Sequence, residues 1–473
     1  MTAHGRGEGP AAPHPELLDR LLAAVRGRAP AAESFWRRCR RVRVTLDGGR
    51  PARASESVTE EVALRALVGG RAGFAAAGRA GRDDAGGDAR EAGLAAADAD
   101  DREGERWERL AGLVEGAVAA ATGGPAAGFG LAPAAPPTPV SIFDPALAGS
   151  GARHVARLAQ RLSAALGDAG GTGDAPGTMS VEVQDISVAL HNTAGARAGY
   201  RKTVLCLSWD APRGAGGASR GPAGVALAVS TLDAALRELG RRQDAPAAPR
   251  SRHWRPPAKR LRVILGPAAV AVFARALAAA ACGRRAAASA PAPGAPRFDP
   301  ALTLWDDATI DGAAQSAPWD AEGVPSRRTA LVRGGAIVGA LHDLQSAART
   351  RAATSASARR AWLRPPAPRP SNIIVDGGAR DLADLLADIG EGVVVLRLAG
   401  APDAGGGYFL PATLAYRVKN GVAAGPAANF ALRGNLLRDF SSLAGLSREV
   451  AWAGGDVLAP YLAVDGLEVV HWG

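Results

Sequence analysis

A run of prolines and arginines across residues 243–257 constrains the folding of this chain more than any other feature. Proline fixes φ and supplies no backbone N–H, so neither a regular helix nor an inner strand passes through such a run. The chain is therefore expected to fold as two units, 1–245 and 246–473, and its 473 residues already exceed the usual size of a single core. The pattern predicts an α+β class: an N-terminal α+β domain with an antiparallel sheet, followed by a β-rich C-terminal domain.

In the first unit a helix is predicted over 15–29. Val42-Arg43-Val44-Thr45-Leu46 then alternates apolar with polar and meets Asp47-Gly48-Gly49, which reads as a strand entering a turn. A second strand at 61–67 turns through Val68-Gly69-Gly70-Arg71 into a third. Residues 81–101, rich in Gly, Ala and Asp, predict an exposed insertion. Helices at 107–121 and 145–166 flank a Pro/Ala linker at 128–139. Strands at 180–190 and 201–209 are joined by His191-Asn192-Thr193-Ala194-Gly195, and a strand at 225–230 leads to a helix that Thr231 can cap. The second unit opens with a strand at 261–265 and a helix at 268–281. After a Pro/Ala spacer at 286–296 the pattern is mostly β, at 329–333, 336–342, 371–375, 393–398, 416–419 and 467–470, with a short amphipathic helix at 382–389.

Composition narrows the function. With 47% hydrophobic and 22% charged residues the chain reads as globular. A net charge of +10 raises the question of nucleic acid, but only Lys202, Lys259 and Lys419 are lysines. The arginines concentrate in probable linkers rather than on a recognition helix, so a nucleic-acid partner is disfavoured. Cys39, Cys206 and Cys282 are too few and too scattered for a disulfide framework, which fits a reducing, cytoplasmic setting. Residues 1–28 lack the basic start and apolar core of a secretory signal. The longest apolar run, 264–282, is broken by Pro267 and Arg275 and predicts a buried helix rather than a membrane span.

The segments most specific to a family follow in fixed order. Leu265-Gly266-Pro267 leads into the helix. Then come Trp305-Asp306-Asp307, Asp320-Ala321-Glu322-Gly323-Val324-Pro325, the hairpin from Leu331 to Asp343, Ala358-Arg359-Arg360, Pro370-Ser371-Asn372, Asn420-Gly421 and Gly434-Asn435-Leu436-Leu437. In this order the chain resembles the TldD/PmbA peptidase family, with most of the weight in 260–473. The resemblance implies that active members hold zinc through two helix histidines and a cysteine near the C-terminus, while an intervening glutamate activates water. Here the corresponding helix positions are Arg275, Ala276 and Ala280, and Trp452-Ala453-Gly454-Gly455 brings no cysteine. The chain thus resembles the PmbA/TldE branch, which lacks the zinc motif.

What that branch implies is a metal-free, non-catalytic subunit of a heteromeric TldD/TldE zinc metallopeptidase. It would form part of the chamber in which small unfolded peptides are degraded or matured. The expected partners are a TldD-like zinc peptidase subunit, which would carry the zinc, and the peptide substrate; no cofactor is expected on this chain and no membrane is involved. Asp306, Asp320, Glu322, Arg360 and Asn435 are the candidate peptide-cleft residues. Arg359 and Arg360 offer guanidinium forks suited to a peptide carboxylate. The acids also have a structural reading, because Asp307 before Ala-Thr favours turn hydrogen bonds. His342-Asp343 is expected on a strand, with the two side chains on opposite faces. Two rival readings stand beside this one: a stand-alone hydrolase using Asp306, Asp320 and Glu322 around a cation, and an Arg-rich binding or regulatory protein.

Overall fold

The computed structural model describes residues 15–83, 101–169, 178–209, 227–241, 255–283 and 297–471. The expected insertion at 81–101, the boundary run at 243–257 and the spacer at 286–296 fall largely outside these residues.

Helix α1 (Pro15–Val25) precedes β1 (Ala31–Asp47), β2 (Arg50–Val68) and β3 (Arg71–Asp83), then α2 (Asp101–Thr122), α3 (Ala152–Ala169), β4 (Thr178–Asn192), β5 (Arg197–Trp209), β6 (Leu227–Val229) and α4 (Leu232–Arg241). Among the described residues the strands form one antiparallel sheet in the order β3-β2-β1-β4-β5-β6. Side chains alternate across a strand, and β1 uses both faces differently. Trp36 packs with Leu18, Leu21 and Leu113, and Val42, Val44 and Leu46 pack with Val155, Leu158 and Leu162. Helices therefore cover the even-numbered face. The odd-numbered face, with Phe35 and Cys39, packs against Trp319 and Ala314 of the C-terminal half. Thr231 does cap α4, its Oγ1 accepting from the Ala234 N–H at 3.2 Å.

The C-terminal half opens with β7 (Arg260–Leu265) and α5 (Pro267–Ala280) and continues through β8 (Leu304–Asp307), β9 (Arg328–Arg333), β10 (Ala336–Ile337), β11 (Ala358–Arg359), β12 (Ala367–Pro368), β13 (Ile373–Val375), β14 (Glu391–Leu398), β15 (Gly407–Lys419), β16 (Val422–Pro426), β17 (Phe430–Asn435), β18 (Gly445–Ala453) and β19 (Val457–His471). Strands run β10-β9-β8-β13-β19-β17-β15-β14-β7, and β19 also pairs with β7, closing β19, β17, β15, β14 and β7 into a ring. Helix α5 is packed into this half, where Phe273 is fully buried and its ring lies 5.1 Å from Tyr408 and 5.0 Å from Phe440. Pro267 sits in the first turn of α5, where the missing N–H has no intrahelical partner to lose.

The Trp305-Asp306-Asp307 segment, assigned to no element from the sequence, is a strand, β8, held between β9 and β13. Two local expectations are corrected. The second arm of the 331–343 hairpin stops at Ile337: a Cβ on Gly339 would lie 2.1 Å from the Ala330 carbonyl oxygen, and Leu341 instead bridges to Cys282. Asp343 is not a strand residue. It caps the helix Leu344–Thr350, its carboxylate accepting from the Ser346 N–H at 2.7 Å.

Candidate functional site

Helix α5 carries the positions where the resemblance places metal ligands. Ala276 and Ala280 present methyl groups, half-buried and exposed respectively. Arg275 reaches across to the turn between β18 and β19: Nε donates to Asp456 Oδ2 at 2.8 Å, and Nη2 donates to Asp456 Oδ1 at 2.6 Å and to the Ala453 carbonyl at 3.1 Å. A guanidinium fork on a carboxylate is a directional, two-bonded contact. It joins the helix to the segment around Trp452-Ala453-Gly454-Gly455 by an ion pair. A zinc ion needs neutral imidazole, thiolate or carboxylate donors converging on one point. The residues here do not fit: one guanidinium and two methyls give no donor, and Asp456 is committed to Arg275. Among the described residues no group of three or more His, Cys, Asp or Glu is placed to hold a metal ion.

The acids lie elsewhere, at the seam between the two halves. Asp306 on β8 is buried and accepts from both the Ser371 N–H and the Ser371 hydroxyl, at 2.5 and 2.9 Å. Asp307 behaves as its neighbours predict, one oxygen accepting from the Thr309 N–H at 2.8 Å. Asp320 accepts from the backbone N–H groups of Glu322, Val324 and Ala358, at 2.9, 3.0 and 3.2 Å. Glu322 is fully buried; one oxygen meets Arg65 and the other accepts from the Leu344 N–H at 2.7 Å. Arg360 pairs with Glu33 and stacks over Phe35 at 4.5 Å. Asn435, at the far end of β17, caps the short helix Leu436–Asp439 through the Leu437 N–H. The structure thus brings Asp320, Glu322 and Arg360 together, puts Asp306 on β8 between β9 and β13, and leaves Asn435 on a different turn.

Burial shapes the proton affinities. Desolvation raises Asp320 and Glu322, each further raised by a neighbouring carboxylate and opposed by hydrogen bonds. Desolvation also pushes Asp306 up to about 6, against the pull of Ser371 and Arg359. An acid raised on folding binds its proton more tightly in the native state, so its contribution to stability is present below the unfolded value and is lost as pH rises toward the folded one. Asp306→Asn keeps an oxygen acceptor for Ser371 but removes the titration. Relative to the parent, the variant is expected to gain about 2 kcal/mol between about pH 4 and about pH 8, read from urea unfolding at each pH. A constant difference across that range would mean that Asp306 is not desolvated. The thiols are not poised for attack: burial raises Cys39, and pushes Cys206 up to about 12.

Sequence reasoning missed Glu33, Glu61, Arg65 and Lys202, all buried at this seam. Arg65 donates to Glu33 at 2.9 Å and to Glu322 at 2.5 Å. The available signal was the charge at odd-numbered positions of β1 and β2, where a half-buried strand would carry apolar residues.

A helix-backed antiparallel sheet joined to a β-rich unit built around one helix defines a two-domain α+β protein. A model described as PmbA/TldA metallopeptidase domain 1 matches residues 32–121, and one described as PmbA/TldA metallopeptidase C-terminal domain matches 258–471. The chain belongs to the PmbA/TldD peptidase family. It is 34% identical over 122 residues to a metalloprotease of Methanocaldococcus jannaschii, covering 25% of this chain and 27% of that one. It is 30% identical over 139 residues to a TldD-homolog metalloprotease of Haemophilus influenzae, covering 29% of each. The matches span about a third or less of those relatives. Among solved structures, TldE from Thermococcus kodakarensis superposes with a TM-score of 0.73 at 16% identity, covering 96% of this chain and 99% of that one. A protein of Thermotoga maritima described as a candidate modulator of a DNA gyrase gives 0.70 at 15% identity, covering 96% and 99%. These likenesses establish the fold.

Proposed function

We propose that this chain is a metal-free, TldE/PmbA-like subunit that pairs with a TldD-like zinc peptidase and forms part of a chamber for small unfolded peptides. The observation that carries the reading is the Arg275–Asp456 pair. It joins the helix to the C-terminal turn, the two places where the resemblance puts zinc ligands, and it commits Asp456, the carboxylate of that turn, to a guanidinium. In this reading the chain divides at 245/246, the zinc belongs to the partner, and the buried acids Asp306, Asp320 and Glu322 with Arg360 brace the chamber wall. Asn435 shapes a turn near its rim. The setting is the cytoplasm. Among the described residues no helix is long and apolar enough to cross a membrane. The cation-dependent hydrolase reading is weakened because Asp320 and Glu322 already accept from backbone amides and Arg65.

The test is co-expression with a tagged TldD-like protein carrying the His-Glu-x-x-x-His helix. The two chains are expected to co-purify, with zinc and peptide cleavage found in the pair and neither in this chain alone. Stoichiometric zinc together with cleavage by the isolated chain would overturn the proposal.

A further inference from the structure

Two of the arginines at the seam are neutralised and two are not. Arg65 and Arg360 pair with Glu33 and Glu322. Arg37 and Arg359 form no ion pair among the described residues, and the Nε of Arg359 is buried with no hydrogen-bond partner. An orphaned buried guanidinium N–H calls for an acceptor.

The sheet register places a third cation beside them. Arg37 on β1 stands opposite Val188 on β4, which stands opposite Tyr200 on β5; the next row on the same face is Cys39, Ile186 and Lys202. Lys202 is buried, and its Nζ donates to the Ser316 carbonyl at 2.7 Å, leaving further N–H groups to give. Arg359, on β11, is held over this face because the Ala358 N–H donates to Asp320 at 3.2 Å and the Ala321 N–H donates to the Ala358 carbonyl at 2.9 Å. Burial first, then the positive charges of Arg359 and Arg37, hold Lys202 well below its ordinary proton affinity. Of the nearby acids, Asp320 holds three backbone N–H groups and Asp306 holds Ser371. Glu61, opposite Arg37 in register, accepts from the Leu363 N–H at 2.9 Å through Oε2, while its Oε1 is buried without a hydrogen-bond partner and makes no ion pair with Arg37 or Arg359 among the described residues. Arg37 and Arg359 are half-buried, and Lys202 on the same sheet face is buried.

We propose that Arg37, Lys202 and Arg359 form a carboxylate-binding cradle that takes the C-terminal carboxylate of a peptide, a ligand choice that rests on the peptide-chamber reading above. Planar guanidinium groups match the two oxygens of a carboxylate, and a terminal carboxylate is the one anionic group that every unmodified peptide carries. Such a cradle would hold one end of an extended chain whatever its side chains are.

The test titrates the full chain, without any second subunit, with penta-alanine bearing a free C-terminus and with its C-terminal amide, by calorimetry at low salt. The free acid is expected to bind about tenfold more tightly or better. Arg359→Gln and Arg37→Gln are each expected to abolish that preference with an unchanged melting temperature, Arg359→Lys to keep part of it, and Arg53→Gln, on the exposed end of β2, to leave it intact. Equal affinity for acid and amide, no binding of either, or a preference that survives both glutamine variants overturns the cradle. Inorganic phosphate binding without any preference between the two peptides also overturns it. Because no partner is present, the outcome is independent of whether the zinc subunit is captured.

Discussion

Replacing Arg65 with alanine is expected to lower the unfolding free energy by about 3–5 kcal/mol, the usual consequence of stripping one partner from a buried ion-pair network. Arg65 is buried between Glu33 and Glu322, both fully buried. Burial alone would pull the guanidinium's proton affinity down, yet the two carboxylates outweigh it and raise the net value. Without Arg65, Glu322 keeps only the Leu344 N–H and Glu33 only Arg360. Two desolvated carboxylates would then face each other with half their compensation gone. Urea unfolding at neutral pH checks the expectation, and a loss below about 1 kcal/mol would show that water replaces the missing charge at the seam. Because the network ties β1 and β2 to residues 322 and 360, the variant should also loosen the contact between the two sheets. That would appear as faster amide exchange at Leu344, whose N–H is held by Glu322.

The second large effect concerns α5. Phe273→Ala is expected to cost about 3–5 kcal/mol, combining lost apolar burial with the cavity left behind. The ring meets Tyr408 edge-on, with planes inclined at 73°, and leans on Phe440, so one truncation empties the contact of the helix with β15 and with the turn that ends the helix Leu436–Asp439. Tyr408 is in turn fixed by its hydroxyl, which donates to Asp439 at 2.6 Å, so it cannot easily move to fill the space. Chemical unfolding gives the magnitude. A crystal structure in which Tyr408 and Phe440 had closed the gap would account for a smaller loss. The Arg275–Asp456 pair, with side chains 41% and 30% exposed, should contribute much less, because solvent screens it.

The strands of the N-terminal sheet were visible in the sequence because their alternation is local. Val42-Arg43-Val44-Thr45-Leu46 and the Gly69-Gly70 turn require only neighbouring residues to be read. Their lengths were not visible. β1 runs from Ala31 to Asp47, and its first half carries Glu33, Arg37 and Arg38, which hide the apolar rhythm. The helix at 268–281 was legible from its alanine-rich run and Pro267, and Asp343 as a cap was not, because capping depends on where the preceding strand breaks off.

The candidate site divides in the same way. That positions 275, 276 and 280 lack imidazole and carboxylate is a property of the side chains themselves, so the sequence alone determined that this helix cannot assemble a zinc site. Which charges satisfy one another is a property of distance. Arg65 and Glu322 are 257 positions apart, and Arg360 and Glu33 are 327 apart. Only the packing of the odd-numbered face of the first sheet against the C-terminal half brings them within hydrogen-bonding range, and the same packing leaves Arg37 and Arg359 without an ion pair among the described residues. Local chemistry fixes what each residue can bond to, and tertiary proximity chooses the bond, because the energy of a charge pair depends on separation and desolvation rather than on order along the chain.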